Sequence, residues 1–187
     1  MTILDRAIIF ATGAHSGAFR KSSKIPYIAH PMEVAAIAAR MTDDIEVIAA
    51  AVLHDVIEDT DTTKEQLERE FGKRIVELVC ADSEDKRKGR PAVETWEIRK
   101  RETLDIIVKA GRDDQIIILS DKLSNMRSIY QDYTQIGDGL WNKFNMKDKR
   151  MHKWYYCGIA ERLDKVKDTN AFKEYVELLH KVFSIKD

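Results

Sequence analysis

A chain of 187 residues with 44% hydrophobic and 34% charged side chains is long enough to bury a sizeable core without disulfides, which predicts one domain over 1–187. A net charge of −1 supplies no global field for nucleic acid, and no apolar run approaches the ~18 residues of a membrane span, so neither partner is expected. Cys80 and Cys157 lie far apart in apolar contexts, which argues against a disulfide framework or thiolate metal site and fits a reducing cytoplasm, and the first residues show no signal-peptide pattern.

Apolar residues recur at helical spacing almost throughout, beginning with Leu4, Ala7, Ile8 and Ala11, so an all-α chain is expected. The turn-rich stretch HSGAFRKSSKIPYIAHP carries Arg20 and Lys21. Pro31 then opens a second helix, with Val34, Ile37, Ala38 and Met41 facing inward and His30 as its N-cap. A third helix is predicted from about Asp44 through Asp59. Thr62 and Glu65 have capping-box spacing and predict a short fourth helix, separated by Gly72 from KRIVELV. Charge, glycine and proline make residues 81–94 a loop, whose basic cluster KRKGR reads more simply as solvated than as a phosphate contact. Beyond it come an amphipathic helix through Trp96, Ile98, Leu104 and Val108, a helix from about Asp113 to Tyr130, and helices around 150–166 and 170–184. The run Ile116 to Leu119 is too short to decide by periodicity, but its flanks favour a buried helix over a strand. The aromatic-rich stretch from Gly137 to Leu163 is expected in the core, and His15, His152 and His180 are expected to cap or to sit at the surface.

The stretch VLHDVIEDT attaches His54, Asp55, Glu58 and Asp59 to the end of the apolar run IEVIAAAVL. On a helical wheel the four polar groups share one face, while Val52, Leu53, Val56 and Ile57 fill the other. The plainer reading is a solvated face. Against it, no Lys or Arg occurs between Arg40 and Lys64, whereas Asp43, Asp44, Glu46, Asp55, Glu58, Asp59 and Asp61 all do. Like charges one turn apart repel, so an uncompensated acidic cluster with an imidazole calls for a cation. One His-Asp pair cannot complete a metal's coordination. His30, before a proline, and Asp121, beside the IIIL run, are the candidate further ligands. Their plainer readings are a helix cap for His30 and an ion pair with Lys122 for Asp121.

The set RKSSKIPYIAHP, VLHDVIEDT, FGKRIVELV, SEDK with WEIRKRE, and LSDKLSNMR resembles the hydrolase domain of the RelA/SpoT family within the HD superfamily. It looks most like the small stand-alone alarmone hydrolases, over about residues 5–165, with 166–187 as C-terminal helices. The resemblance implies a helical bundle of roughly eight to ten helices. It also implies one Mn²⁺ ion held by His30, His54, Asp55 and Asp121, with Glu58 and Asp59 positioning and deprotonating the attacking water. Arg20 and Lys21 would lie near the nucleotide, Tyr27 would line the pocket and Asn125 would contact the sugar. The implied reaction removes the 3′-pyrophosphate of guanosine tetra- or pentaphosphate. A chain ending at Asp187 is expected to lack synthetase activity. Two other readings stay open: a phosphohydrolase of another nucleotide such as NADPH, and a non-catalytic module that binds the alarmone.

Overall fold

The helical periodicity is realised almost everywhere in the computed structural model, which describes residues 1–21, 23–82, 87 and 89–184. Among these residues there are ten α-helices: α1 (Ile3–Ala14), α2 (Ala29–Ala38), α3 (Ile45–Leu53), α4 (Val56–Asp59), α5 (Lys64–Phe71), α6 (Lys73–Asp82), α7 (Ala92–Lys109), α8 (Arg112–Ile136), α9 (Lys149–Arg162) and α10 (Asn170–Phe183). A 3-10 helix, Gly137–Lys143, joins α8 to α9. The one extended pairing among the described residues is a single antiparallel bridge, Phe19 to Pro26, in the turn-rich stretch before α2. The expected all-α fold is therefore the fold observed.

Two helices carry the core. In α3, every residue from Val47 to Leu53 is buried, and the small side chains Ala49, Ala50 and Ala51 let α1, α2, α6 and α8 approach closely. In α8, Ile116, Ile117, Ile118 and Leu119 are essentially inaccessible, so this run is a helix enclosed on all sides rather than a strand. The same helix packs on α2, α6 and α10, and its buried face extends through Met126 and Ile129. The helix runs past Tyr130 to Ile136, where Gly137, at φ 55°, caps it. The 3-10 helix inserts Leu140 and Trp141 into the core, where Trp141 stacks on Phe183 of α10 with ring centres 5.6 Å apart. The aromatic stretch is core, as expected.

Several local expectations are corrected. His30 is not an N-cap: main-chain bonds from Ala29 to Pro26 and from His30 to Tyr27 start the turn earlier, so α2 already includes both. Pro31 then falls in the first turn, where an N–H would have no helical acceptor in any case. The third helix is not continuous, since α3 stops at Leu53 and α4 begins at Val56, with Asp55 at φ −96°, ψ −5° between them. The cap of α5 is Thr63, whose hydroxyl accepts the Gln66 N–H at 3.2 Å, while Thr62 accepts from the Thr60 hydroxyl. On α7 the buried residues are Thr95, Trp96, Leu104 and Ile107, whereas Ile98 and Val108 are exposed.

The expected loop over 81–94 is shorter, because α6 reaches Asp82 and α7 begins at Ala92. Residues 83–86 and 88 lie outside the described residues, as do the SEDK motif and two lysines of KRKGR. Of that cluster, Arg87 pairs with Glu102 and Arg90 with Glu94, both acids of α7.

Candidate metal centre

The acidic stretch after Arg40 is partly neutralised from elsewhere in the chain. Arg74 of α6 donates to Asp44 at 2.7 Å and to Glu46 at 2.5 Å, and it also reaches Asp113. Asp44 serves as well as the N-cap of α3. The acids needing another explanation are those around His54.

There the chain turns inward. His54 is 2% exposed, and its Nδ1 lies 2.8 Å from the carbonyl of Ala51. A carbonyl only accepts, so Nδ1 carries the hydrogen and the Nε2 lone pair faces the interior. Ring Nε2 of His54 lies 3.0 Å from Asp55 Oδ2 and 3.7 Å from Asp121 Oδ1. His30 Nε2 lies 3.0 Å from the same Asp121 oxygen and 3.6 Å from Asp55 Oδ2. Two imidazole nitrogens and two carboxylate oxygens thus converge from α2, the α3–α4 junction and α8. Within this group the donor atoms of His30, His54 and Asp121 all lie within 4.8 Å of one another.

The four polar residues of VLHDVIEDT do not share one face. His54 and Asp55 turn into the cluster, Glu58 is half-buried and Asp59 is exposed. Tyr27 reconnects them, because its hydroxyl lies 2.6 Å from Asp55 Oδ2 and 2.8 Å from Asp59 Oδ2. The charge of Glu58 acts on Lys100 of α7.

A cation fits this donor set. His54 Nε2 is buried without an aligned hydrogen-bond partner, although Asp55 lies within reach. Burial works to lower the pKa of His54, and the Asp55 and Asp121 charges override it, so the imidazole titrates well above its ordinary value. Burial would likewise raise both carboxylates; His54 beside Asp55, and Lys122 and the histidines beside Asp121, hold them well below the usual carboxylate range. The cluster therefore favours positive charge at its centre, which either a proton or a metal ion can supply. Asp121 forms the ion pair expected of it, with Oδ2 against Lys122, while Oδ1 turns to the histidines.

The predicted substrate-side residues border this cluster. Asn125 donates to Asp121 Oδ1 at 2.6 Å and accepts from Arg20 at 2.9 Å. The Arg20 guanidinium lies 5.8 Å from the Tyr27 ring centre, and the Lys21 ammonium lies 5.8 Å from that of Phe144. A cavity of about 660 Å³, lined by Arg20, Lys21, Tyr27, Asn125, Phe144 and Tyr156, opens beside His30. A larger one, about 820 Å³, lies among α2, α8 and α10 and is lined by none of the cluster residues. The Glu33–Arg127 pair borders both.

Sequence reasoning missed His15, Ser124 and Glu33 around the cluster. His15 is 4% exposed, with its ring centre 4.8 Å from that of Tyr27. Ser124 Oγ lies 2.9 Å from His30 Nδ1 and donates to Glu33 Oε2 at 2.7 Å. The one signal available was that Ser124 shares a helical face with Asp121.

The HD-domain family model matches residues 7–144. The chain belongs to the HD-domain family. Among curated proteins, this HD-domain chain is 42% identical over 124 residues to the guanosine-3′,5′-bis(diphosphate) 3′-pyrophosphohydrolase of Haemophilus influenzae, covering 65% of this chain and 18% of that protein. It is 41% identical over 129 residues to the bifunctional (p)ppGpp synthase/hydrolase SpoT of Escherichia coli, covering 67% of this chain and 18% of SpoT. The chain thus spans about a fifth of the length of these relatives. Among solved structures, the HD-domain fold resembles a metazoan ortholog of SpoT with a TM-score of 0.77 at 24% identity, over 97% of this chain and 96% of the other. It resembles a protein of Listeria monocytogenes with a TM-score of 0.72 at 28% identity, over 89% and 100%. No described helix is long and apolar enough to cross a membrane.

Proposed function

We propose that the chain is a Mn²⁺-dependent hydrolase that removes the 3′-pyrophosphate of guanosine tetra- or pentaphosphate, giving GDP or GTP and pyrophosphate. The observation that carries this reading is the convergence of His30, His54, Asp55 and Asp121 on one buried point, with His54 Nε2 lacking an aligned partner. The activity named for the Haemophilus relative supports the choice of substrate. A donor set of imidazole and carboxylate without thiolate suits Mn²⁺. The free thiols Cys80 and Cys157 suit a cytoplasmic setting.

When bound, the ion supplies positive charge that stabilises charge developing on the phosphorus and the leaving oxygen. The chain's own groups do the rest. Arg20 and Lys21 bind phosphate oxygens at the cavity mouth, and Asn125, tied to both Arg20 and Asp121, orients the sugar. The Tyr27 hydroxyl keeps its hydrogen, because burial and the charges of Asp55 and Asp59 push its pKa far upward. It therefore takes no proton from water; its one hydrogen goes to Asp55 or Asp59, and the Asp59 carboxylate takes the proton of the attacking water, with Glu58 next in the chain. Water oxygen bonds to phosphorus, the bond from phosphorus to the 3′-oxygen breaks, and that oxygen gains a proton from bulk water, to which Asp59 returns the one it took.

The test is pyrophosphate release by purified protein with and without Mn²⁺, across guanosine and adenosine alarmones and NADPH. Manganese-dependent release from the guanosine substrates is expected. A folded protein inert toward them but active on NADPH would redirect the reading to another nucleotide, and one inert toward all would leave a binding module.

A further inference from the structure

Ser124 is 2% exposed, and its hydroxyl lies between two groups, 2.9 Å from His30 Nδ1 and 2.7 Å from Glu33 Oε2. A serine hydroxyl has one hydrogen, and a carboxylate only accepts. Were that hydrogen turned to Nδ1, two oxygens would face each other at 2.7 Å with nothing between them. The hydrogen therefore goes to Glu33, the serine oxygen accepts from the imidazole, and His30 carries its hydrogen on Nδ1. Glu33 is held in this role from its other side. Arg127 Nη1 donates to Glu33 Oε1 at 2.9 Å, while Nε and Nη2 of the same guanidinium grip both oxygens of Glu174 on α10, at 2.6 and 2.8 Å.

We propose that Ser124, Glu33 and Arg127 are positioning residues for the metal centre: their hydrogen-bond chain sets the His30 tautomer and presents the Nε2 lone pair to the ion. The inference rests on reading His30 as an ion ligand. His54 reaches the same tautomer through the main-chain carbonyl of Ala51, which no side-chain substitution removes. His30 depends on side chains alone. The spacing is economical, because His30 and Glu33 stand one turn apart on α2, as do Asp121, Ser124 and Arg127 along α8. Partners of this kind commonly govern metal affinity by ~10–100-fold, because they fix ring orientation and the basicity of the ligand nitrogen.

The test is Mn²⁺ binding by calorimetry on the full chain, with Mn²⁺ alone as the probe. Ser124→Ala leaves the Nδ1 hydrogen without its acceptor. Glu33→Gln is sharper: Arg127 only donates, so the amide oxygen turns to it and the amide NH₂ faces Ser124, which sends the serine hydrogen to Nδ1 and favours hydrogen on Nε2. Both variants should bind Mn²⁺ ~10–100-fold more weakly, with the helical circular-dichroism signal and the melting temperature of the ion-free protein little changed. In the unaltered protein loaded with diamagnetic Zn²⁺, imidazole nitrogen resonances should report hydrogen on His30 Nδ1. Undiminished Mn²⁺ affinity in both folded variants would overturn the proposal, as would hydrogen on His30 Nε2. Failure of the unaltered protein to bind Mn²⁺ would remove the metal reading beneath it, and the proposal with it.

Discussion

At the residue scale, the proposed function gives His54 an ion to hold and Glu58 and Asp59 a water to handle, and substitution should separate the two tasks. His54→Ala removes a donor nitrogen that is 2% exposed, so Mn²⁺ affinity should fall by more than the ~10–100-fold that loss of an outer hydrogen-bond partner costs. Metal content after dialysis measures it. Glu58→Gln with Asp59→Asn leaves all four donors in place, so turnover should drop by ~10²–10⁴-fold, the usual range for general acid–base groups, while Mn²⁺ affinity stays within a few-fold. Loss of both together would show that the two tasks are not separate. His152 offers a test away from the site. Its ring lies among Trp96, Trp141 and Phe144, and its Nε2 donates to the Met146 carbonyl at 2.7 Å. Burial lowers its pKa below the ordinary 6.5, with the Met146 bond opposing. The unfolded chain therefore takes up the proton first. The stability His152 contributes is present above about pH 6.5 and lost as pH falls through its lowered folded value. Between pH 7.5 and 5, the melting temperature should fall less steeply in His152→Phe than in the unaltered protein; equal slopes would exclude His152 as the source.

At the element scale, α7 is fastened chiefly to α9, and Gly158 of α9 faces Leu104 of α7. A methyl group built there would lie 3.1 and 3.2 Å from the two terminal carbons of Leu104, which is itself 3% exposed and has little room to yield. Gly158→Ala should destabilise the protein by ~1–3 kcal/mol, as overpacking does, despite the better helix propensity of alanine. Urea unfolding would measure it, and a stabilised variant would mean that α7 can shift on α9. Most helices were legible because one apolar face repeats along each. What escaped was set by tertiary contact. Nothing local says that α2 begins before Pro31, since the main-chain bonds of Tyr27 and Pro26 decide it. Nothing in the apolar spacing of residues 45–59 marks an interruption at His54 and Asp55, and the 3-10 helix after Gly137 has no period to read.

At the scale of the whole molecule, the proposed metal donors come from three places in the chain, and an ion joining them should bind the folded form alone. Free Mn²⁺ at a hundredfold over its dissociation constant should then add ~2.7 kcal/mol, a rise of roughly 5–10 °C in melting temperature for a chain of this size. No rise would mean that the donors do not act as one site. Of the proposed donors, His54 and Asp55 stood out within an acidic stretch lacking a nearby base, whereas His30 and Asp121 were suggested by the proline and the apolar run beside them. Arg74 answers part of that imbalance from thirty residues away, and Ser124 and Glu33 stayed hidden because their role exists only once α2 and α8 lie side by side. The interruption between α3 and α4 has a geometric corollary. Neighbouring side chains leave an unbroken helix ~100° apart and diverge, yet His54 Nε2 and Asp55 Oδ2 stand 3.0 Å from each other. The broken turn folds that divergence into a pincer, so that two consecutive residues close on a single point.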